Sequence, residues 1–231
     1  MEQLYNGYSL DIPDGVFPLS TDSMVLSGFV RLPRNASVLD LGSGSGCLGL
    51  LLCAGNSGCT VTGVELEENA HRCAEENIRR NGLDHRLTSI CADLRSIPSL
   101  LPPGSFHCCV SNPPYFDGGP ASRNLSSARR EDHCTLSDLF SAAAWALRYG
   151  GDFFLVHRPE RLAELMHEAC LHDLQPKRLC LLRHRSGGPV TLVLLQCRKG
   201  GRQGLIWEEE ALYDTFGKPT PYYRALYHQE Q

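Results

Sequence analysis

The chain of 231 residues has a composition close to that of an average globular protein. Hydrophobic residues make up 42% of it and charged residues 21%, which excludes an intrinsically disordered chain. The longest apolar run, at 48–54, is far shorter than the roughly 20 residues that a membrane-spanning helix needs. The length predicts one large domain, or one domain with a small appendage.

The cysteines and the amino terminus favour a cytoplasmic protein. The first ten residues contain Glu2 and have neither a basic cluster nor an apolar core, so we expect no secretory signal. The 11 cysteines are an odd number, and disulfide-rich secreted domains are usually much shorter. We therefore expect buried thiols in a reducing compartment. No CxxC or HxxxH spacing occurs, so no metal site is expected.

Charge is unevenly distributed along the chain. The net charge is −4, yet residues 118–205 contain 13 basic and 8 acidic residues and carry +5. A local positive face can bind phosphates whatever the overall charge of the protein. The alternative is an ordinary solvated surface.

Short β-rich segments alternate with helical segments along the chain. The first expected helix covers 24–31, with Thr21 or Asp22 as its cap. Strands are expected at 36–41, 60–65, 86–91, 107–111, 152–157, 178–182 and 190–197, and helices at about 47–54, 67–81, 136–149 and 159–172. This alternation predicts an α/β fold with a doubly wound, mostly parallel sheet of seven strands, the last of them antiparallel. A further short strand is expected at 205–207.

A glycine-rich loop follows the first expected strand. Gly42, Gly44 and Gly46 stand at alternate positions after Asp40, which lets the backbone turn tightly and approach a ligand closely. Glu65 ends the second strand, where a carboxylate in a βαβ unit meets the ribose hydroxyls of an adenosine. The loop also fits the G-x-G-x-x-G pattern of dinucleotide sites. It therefore leaves open a nicotinamide or flavin cofactor, or a turn without a ligand, although the acid before the glycines favours S-adenosylmethionine.

The segment Asn112-Pro113-Pro114-Tyr115 follows the fourth expected strand, at the sheet edge where open α/β folds bind ligands. An exocyclic amine or amide nitrogen is a poor nucleophile because its lone pair is delocalised. Two acceptors that take both of its hydrogens release that lone pair, and the Asn112 oxygen and the rigidly held Pro113 carbonyl are the candidates. Tyr115 and Phe116 offer rings on which a planar base can stack. The pattern favours methyl transfer without a catalytic histidine; a rigid turn is the alternative.

Four strings in this order, DLGSGSG, VTGVELEENA, CADL and VSNPPYF, resemble the S-adenosylmethionine-dependent amino-methyltransferases with a Rossmann-like fold. Within that group the chain is most similar to the tRNA(Val) N6-adenine methyltransferase family, because of three further segments: FPLSTDSMVL at 17–26, ARRE at 128–131 and FLVHRPERL at 154–162. The resemblance covers about 20–200. It implies S-adenosylmethionine as the cofactor and N6 of an adenine in tRNA as the acceptor.

The resemblance also implies roles for the matching positions. The residues implied to hold the cofactor are Thr21, Asp22, Asp40, Gly42, Gly44, Gly46, Glu65, Ala92, Asp93 and Asn112. Those implied to hold the target amine are Asn112, Pro113 and Tyr115. Those expected to contact the RNA are Phe116, Arg129 and Arg130. Ser20 stands where the family has glycine, which leaves the backbone of that turn in question.

Other acceptors remain open from the same residues. Glutamine N5 of a release factor would suit the tetrapeptide, but those enzymes usually carry a helical domain of about 70 residues before the loop, and only 39 residues precede Asp40 here. Guanine N2 in ribosomal RNA usually goes with a duplicated domain, and adenine N6 in DNA with a target-recognition insert. A non-catalytic RNA-binding protein of the same fold is the remaining alternative, which the intact Asn112 and glycine loop disfavour.

We divide the chain into three regions: a cofactor-covering segment at 1–35, a Rossmann-like methyltransferase domain at 36–200 and a C-terminal extension at 201–231. The expected partner is nucleic acid, most of all tRNA, with no membrane and no metal; the sequence predicts no oligomeric state. Further basic residues that we expect along the RNA backbone are Arg123, Lys177, Arg178, Arg183, Arg185, Arg198, Lys199 and Arg202.

Overall fold

The computed structural model describes residues 2–113 and 134–227. Its strands are β1 (Glu2–Gln3), β2 (Ser9–Leu10), β3 (Ser37–Leu41), β4 (Thr60–Glu65), β5 (Leu87–Cys91), β6 (Phe106–Ser111), β7 (Leu147–His157), β8 (Leu174–Arg185), β9 (Val190–Lys199) and β10 (Ile206–Tyr213). Its α-helices are α1 (Thr21–Phe29), α2 (Cys47–Gly55), α3 (Glu68–Arg80), α4 (Ile97–Leu100), α5 (Leu136–Ala146), α6 (Leu162–Leu171) and α7 (Pro221–Leu226). Short 3-10 turns lie at Tyr5–Gly7, Leu94–Ser96 and Pro159–Arg161.

One large sheet has the strand order β10-β8-β9-β7-β6-β3-β4-β5, and β1 pairs with β2 separately. Its neighbouring strands are parallel except at β9, which is antiparallel to both β7 and β8. The mostly parallel, doubly wound sheet is thus confirmed. It has eight strands rather than seven, because the strand expected at 205–207 extends to Tyr213 and pairs with β8. The antiparallel strand lies inside the sheet, since the short turn after β8 makes β8 and β9 neighbours.

Apolar side chains pack on both faces of the sheet. Neighbouring residues on a strand point to opposite faces, so Val38 and Val110 belong to one core while Leu39 and Cys109 belong to the other. The first core is covered by α1, α2, α3 and α7, and the second by α4, α5 and α6. All 11 cysteines are free thiols, and eight of them are buried, as expected. Within 2–113 and 134–227, no helix has the length and apolar character needed to cross a bilayer.

Two helix boundaries differ from the prediction because of local hydrogen bonds. Ser20 caps α1, since its side chain accepts a hydrogen bond from the Ser23 N–H, so neither Thr21 nor Asp22 is the cap. The Ser20 φ angle of −119° is an extended conformation that needs no glycine, which answers the question raised by that position. The helix expected at 136–149 ends at Ala146, because the chain becomes extended at Leu147 and enters β7.

A buried arginine joins β8, β9, β10 and α1. The Arg178 guanidinium lies 4.2 Å from the centre of the Phe29 ring. It donates to the Gln196 side chain at 3.1 Å and forms an ion pair with Glu208 at 3.0 Å. Arg178 is 7% exposed, so it stabilises the fold. The expectation that it contacts the RNA backbone is therefore wrong.

Glu208→Ala is expected to lower the free energy of unfolding by about 2 kcal/mol, because it leaves the Arg178 charge buried without its carboxylate partner. Arg178 lowers the pKa of Glu208 from its ordinary 4.5. The stabilisation is therefore present above pH 4.5 and lost as the pH falls through the lowered pKa. Urea titration at pH 7 and at pH 3.5 measures both effects.

Glu209→Ala is the matched control for this experiment. Glu209 pairs with Arg183, but its side chain is 64% exposed, so its loss should change the unfolding free energy by less than about 0.5 kcal/mol. Equal losses in the two variants would contradict a special role for the buried pair.

Candidate active site

The glycine loop and the Asn112 segment meet at the edge of the sheet where the parallel strands end, which we call the carboxyl edge. β3 pairs with β6, and Asp40 lies opposite Val110. The Ser111 hydroxyl donates to the Leu41 carbonyl at 2.7 Å, which joins the two strand ends. Asn112 therefore begins its segment directly beside the glycine loop, although the two are far apart in sequence.

The three glycines of the loop have the left-handed backbone that the pattern predicts. The φ angles of Gly42, Gly44 and Gly46 are 76°, 54° and 78°, values that side chains rarely allow. No atom of the described structure lies within 4 Å of a Cβ placed on Gly42 or Gly44. The space above these two residues is open, so a ligand can approach the backbone there.

The N–H groups of the three loop glycines already have acceptors within the protein. Gly42 donates to the Val64 carbonyl at 2.9 Å, and Gly46 donates to the Ser43 carbonyl at 3.0 Å. Gly44 donates to the Glu65 carboxylate at 2.7 Å. These bonds hold the loop in shape, and a cofactor would meet side chains and the open glycine surface. The N–H groups of these three glycines are therefore not available to a pyrophosphate.

Glu65 links the glycine loop to the end of β4. One carboxylate oxygen accepts from the Gly44 N–H and the other accepts from the Glu67 N–H at 2.9 Å. Each oxygen has a second lone pair, so the carboxylate is able to accept from ribose hydroxyls while it keeps both bonds. The predicted ribose role is compatible with this position.

Asp40 lies under the loop and is 2% exposed. Its Oδ2 atom is buried and has no hydrogen-bond partner among the described residues. Burial, and then the negative charge of Glu65, raise the pKa of Asp40 to about 7. A buried carboxylate without a partner is costly, and a ligand with a positive charge would supply the missing partner.

Ala92 and Asp93 follow β5 at the same edge. The Ala92 N–H donates to the Glu65 carbonyl at 2.8 Å, so any contact of Ala92 with an adenine would use another atom. The Asp93 carboxylate accepts from the Arg95 N–H at 2.8 Å and pairs with the Arg95 guanidinium. The predicted adenine contact stays a prediction.

Asn112 is half-buried, and its Nδ2 donates to the Ser23 hydroxyl at 3.0 Å. Because the nitrogen is engaged, the oxygen of the same carboxamide is the atom that remains to accept a hydrogen. Ser23 is buried and also lies beside the Cys47 thiol. Burial and the charge of Asp40 raise the pKa of Cys47, whereas a hydrogen bond with the Ser23 hydroxyl lowers it. Sequence reasoning missed Ser23, although it follows Thr21 and Asp22 in the segment that carries the resemblance.

Helix α1 brings the N-terminal segment to the site. Asp22 lies in its first turn and is half-buried, and Thr21 is exposed at its start. Pro113 is buried directly after Asn112. The first described range ends at Pro113. Six of the predicted residues therefore lie outside the described ranges: Pro114, Tyr115, Phe116, Arg123, Arg129 and Arg130.

Among the residues that the structure describes, the basic side chains of the later chain do not form one surface, contrary to the charge-based expectation. Arg198 pairs with Asp152, and Lys199 donates to the Ala144 carbonyl. Lys177 donates to the Arg202 carbonyl. These four basic residues lie toward the amino ends of the parallel strands, away from the site. Arg183 and Arg185, by contrast, lie at the end of β8 on the carboxyl edge.

A family model described as "Methyltransferase small domain" matches residues 20–174. This chain belongs to that family. The match contains the glycine loop, Glu65 and Asn112. The chain is a methyltransferase of Rossmann-like fold that uses S-adenosylmethionine, as the sequence resemblance implied.

Curated relatives agree with this assignment. A tRNA1(Val) (adenine(37)-N6)-methyltransferase of Shewanella sp. (strain MR-4) is 31% identical over 159 residues, which cover 68% of this chain and 66% of that protein. An enzyme of the same name from Glaesserella parasuis is 31% identical over 70% of this chain and 69% of its own length. The chain thus matches about two thirds of the length of these relatives.

A solved structure supports the fold. The crystal structure of a predicted O-methyltransferase from Agrobacterium tumefaciens superimposes with a TM-score of 0.75, at 22% identity, over 90% of this chain and 96% of that one. At this identity the likeness concerns the fold and not the acceptor.

The site residues fit the cofactor of this family. S-adenosylmethionine has an ammonium group, a sulfonium and an adenosine. Asp40 offers a buried carboxylate without a partner, Glu65 keeps two free lone pairs, and the surface over Gly42 and Gly44 is open. In the part of the chain that the structure describes, no group of three or more His, Cys, Asp or Glu residues is placed to hold a metal ion.

Proposed function

We propose that this methyltransferase transfers a methyl group from S-adenosylmethionine to the exocyclic N6 of an adenine in tRNA. The observation that carries the proposal is the position of Asn112. It follows β6 beside the glycine loop, and its nitrogen is bound to Ser23, which leaves its oxygen to accept a hydrogen. The names of the curated relatives support adenine in tRNA as the acceptor.

The chain's own groups would prepare the target nitrogen. When bound, the cofactor supplies a methyl group on a positively charged sulfur. The Asn112 oxygen accepts one N–H of the amine, and the Pro113 carbonyl is the second acceptor. The proline ring restricts φ at position 113, so little rearrangement is needed when the amine arrives. With both hydrogens held, the lone pair of the nitrogen is directed toward the methyl group.

No histidine is needed to remove the proton. The methylated nitrogen is positively charged and acidic, so its proton leaves to water after transfer. His157, at the end of β7, accepts the Arg158 N–H at its Nδ1 atom. Burial lowers the pKa of His157 to about 4, which makes it a weak base. We therefore assign it a structural role.

Residues 1–35 would cover the cofactor. Helix α1 brings Ser23 onto Asn112 and packs against α2, which begins at the glycine loop. A protein that acts on tRNA would work in the cytoplasm.

The acceptor is tested by offering the purified protein and labelled S-adenosylmethionine to separate pools of tRNA, ribosomal RNA, DNA and release factor. We expect label in tRNA, recovered after nuclease digestion as N6-methyladenosine by mass spectrometry. Asn112→Ala serves as the control for a contaminating activity, because it should bind cofactor without transferring label. Label in guanine N2, in glutamine N5 or in DNA would replace the proposal with that acceptor. Cofactor binding without transfer to any pool would favour a non-catalytic protein.

A further inference from the structure

Phe216 is the most exposed large hydrophobic residue that the structure describes, at 87% exposure. It lies in a turn between β10 and α7 at the carboxyl edge. Asp214 Oδ1 accepts from the N–H groups of Phe216 and Lys218 at 2.8 and 2.9 Å. Gly217 has a φ angle of 81° and donates to the Asp214 carbonyl at 3.1 Å. The turn is therefore well braced, and it presents the phenyl ring to solvent in a fixed position.

Two basic residues, Arg185 and Lys218, lie beside or within this turn. Arg185 ends β8 and reaches the turn, since its Nη2 atom would lie 3.4 Å from a Cβ placed on Gly217. Neither Arg185 nor Lys218 forms an ion pair with any residue in the described ranges. Lys177 and Lys199, the chain's other lysines, donate to backbone carbonyls. Arg185 and Lys218 are thus available for an external anion.

A row of neighbouring aromatic rings runs from the turn toward the active site. Tyr213 lies with its ring centre 5.1 Å from that of His184 and 5.2 Å from that of Tyr223. Tyr223 stacks on Tyr227 at 4.4 Å. The Thr21 hydroxyl lies near the Tyr227 phenol and opposes the rise in its pKa caused by burial. The rings therefore reach the start of α1.

Helix α7 is also packed directly on α1. A Cβ placed on Gly28 would lie 2.3 Å from Leu226 Cδ2. The two helices can therefore pack this closely only because residue 28 is a glycine. The same α1 carries Ser23, which binds Asn112. The turn is thereby held in a constant position relative to the catalytic asparagine.

We propose that residues 214–218 and Arg185 form a second contact site for the RNA substrate, where Phe216 stacks on an unpaired base and Arg185 and Lys218 bind phosphates of the same strand. The inference rests on the proposed function and extends it, because it requires a substrate with an open, single-stranded loop. Exposed aromatic rings beside free cations are the usual means of holding such strands.

Binding of total tRNA to the full-length protein, measured by filter binding at several salt concentrations, tests this site. Phe216→Ala should weaken tRNA binding about 10-fold, the size typical of one lost stacking contact. Phe216→Trp keeps an aromatic ring and should bind tRNA like the wild type. The double variant Arg185→Ala/Lys218→Ala should reduce the slope of log affinity against log salt by about 1.4, the value for two phosphate contacts on a single strand. Calorimetry should show unchanged affinity for S-adenosylmethionine.

Ile206→Ala is the control for Phe216→Ala, since Ile206 is 61% exposed at the other end of β10. Arg202→Ala is the control for the basic residues, since Arg202 is exposed near the start of β10. Both should bind tRNA like the wild type. Three results would overturn this inference but not the proposed function. They are a loss of tRNA affinity no larger than in the controls, a Phe216→Trp variant that binds tRNA as weakly as Phe216→Ala, and a fall in melting temperature that accompanies the loss of affinity. A wild-type protein that neither binds nor methylates tRNA would overturn the proposed function as well.

Discussion

Asn112→Ala is expected to lower kcat for methyl transfer by about 10²–10³-fold, the range found when one oriented hydrogen-bonding group is removed from a catalytic site. The expected loss follows from the proposed mechanism, in which the oxygen of this side chain accepts a hydrogen bond from the amine and favours a localised lone pair on its nitrogen. Affinity for S-adenosylmethionine should change far less. Single-turnover transfer and calorimetry with the same protein separate the two quantities.

Ser23→Ala is the informative partner of that variant. Ser23 holds the Asn112 nitrogen at 3.0 Å but is a positioning residue, so its loss should lower kcat by about 10-fold or less. Ser23→Thr keeps the hydroxyl and should retain more activity than Ser23→Ala. If Asn112→Ala weakens cofactor binding as much as it lowers kcat, Asn112 holds the cofactor and the proposed grip on the amine is wrong.

Cofactor affinity is expected to increase as the pH rises through about 7. Burial and Glu65 raise the pKa of Asp40 to that value, so the carboxyl is protonated at pH 6 and charged at pH 8. The cationic cofactor favours the charged form. Below the pKa, affinity should therefore fall by up to about 10-fold per pH unit. Calorimetry from pH 5.5 to 8.5 measures this dependence.

The same carboxyl should affect the free protein in the opposite direction. Because its pKa in the folded state is above the ordinary value of 3.8, the folded state binds more protons than the unfolded state between about pH 4 and 7. Its contribution to the unfolding free energy therefore decreases as the pH rises across that range. At low pH we therefore expect weaker cofactor binding but a larger contribution of Asp40 to the unfolding free energy of the free protein.

Asp40→Asn should remove both pH dependences. It should also weaken cofactor binding at pH 8 by about 10- to 100-fold, the cost of one charge-assisted hydrogen bond. Glu209→Gln, at an exposed carboxylate of β10, is the control and should leave the affinity profile unchanged. A cofactor affinity that is flat from pH 5.5 to 8.5 in the wild type would show that Asp40 is not the group that meets the positive charge.

Local signals were enough to predict most of the sheet and the tight turn of the glycine loop. The segment Thr60–Glu65 is rich in β-branched residues, which favour an extended backbone, and β4 has the predicted bounds. The glycines at 42, 44 and 46 permit a left-handed backbone that other residues rarely adopt, so a tight turn could be predicted there from residue type. Asn112 was identifiable because its prolines and the preceding strand lie next to it in the chain.

Contacts across long stretches of chain could not be predicted in this way. Ser23 is 89 residues from Asn112, and nothing in either segment indicates that they meet. The basic charge of 118–205 suggested one surface, but the pairing of β8 with β9 and β10 sends these side chains to both ends of the strands. Arg178 even turns inward, onto Glu208 and Phe29.

The amino-acid sequence by itself determined most of the element types and the tight turn of the glycine loop, and it predicted the role of Asn112, since each depends on residues within a few positions of one another. The tertiary structure alone decided which hydrogens are free at the loop, what orients Asn112 and where the C-terminal segment lies. Those outcomes depend on strand order and helix packing, in which many weak contacts between distant residues act together.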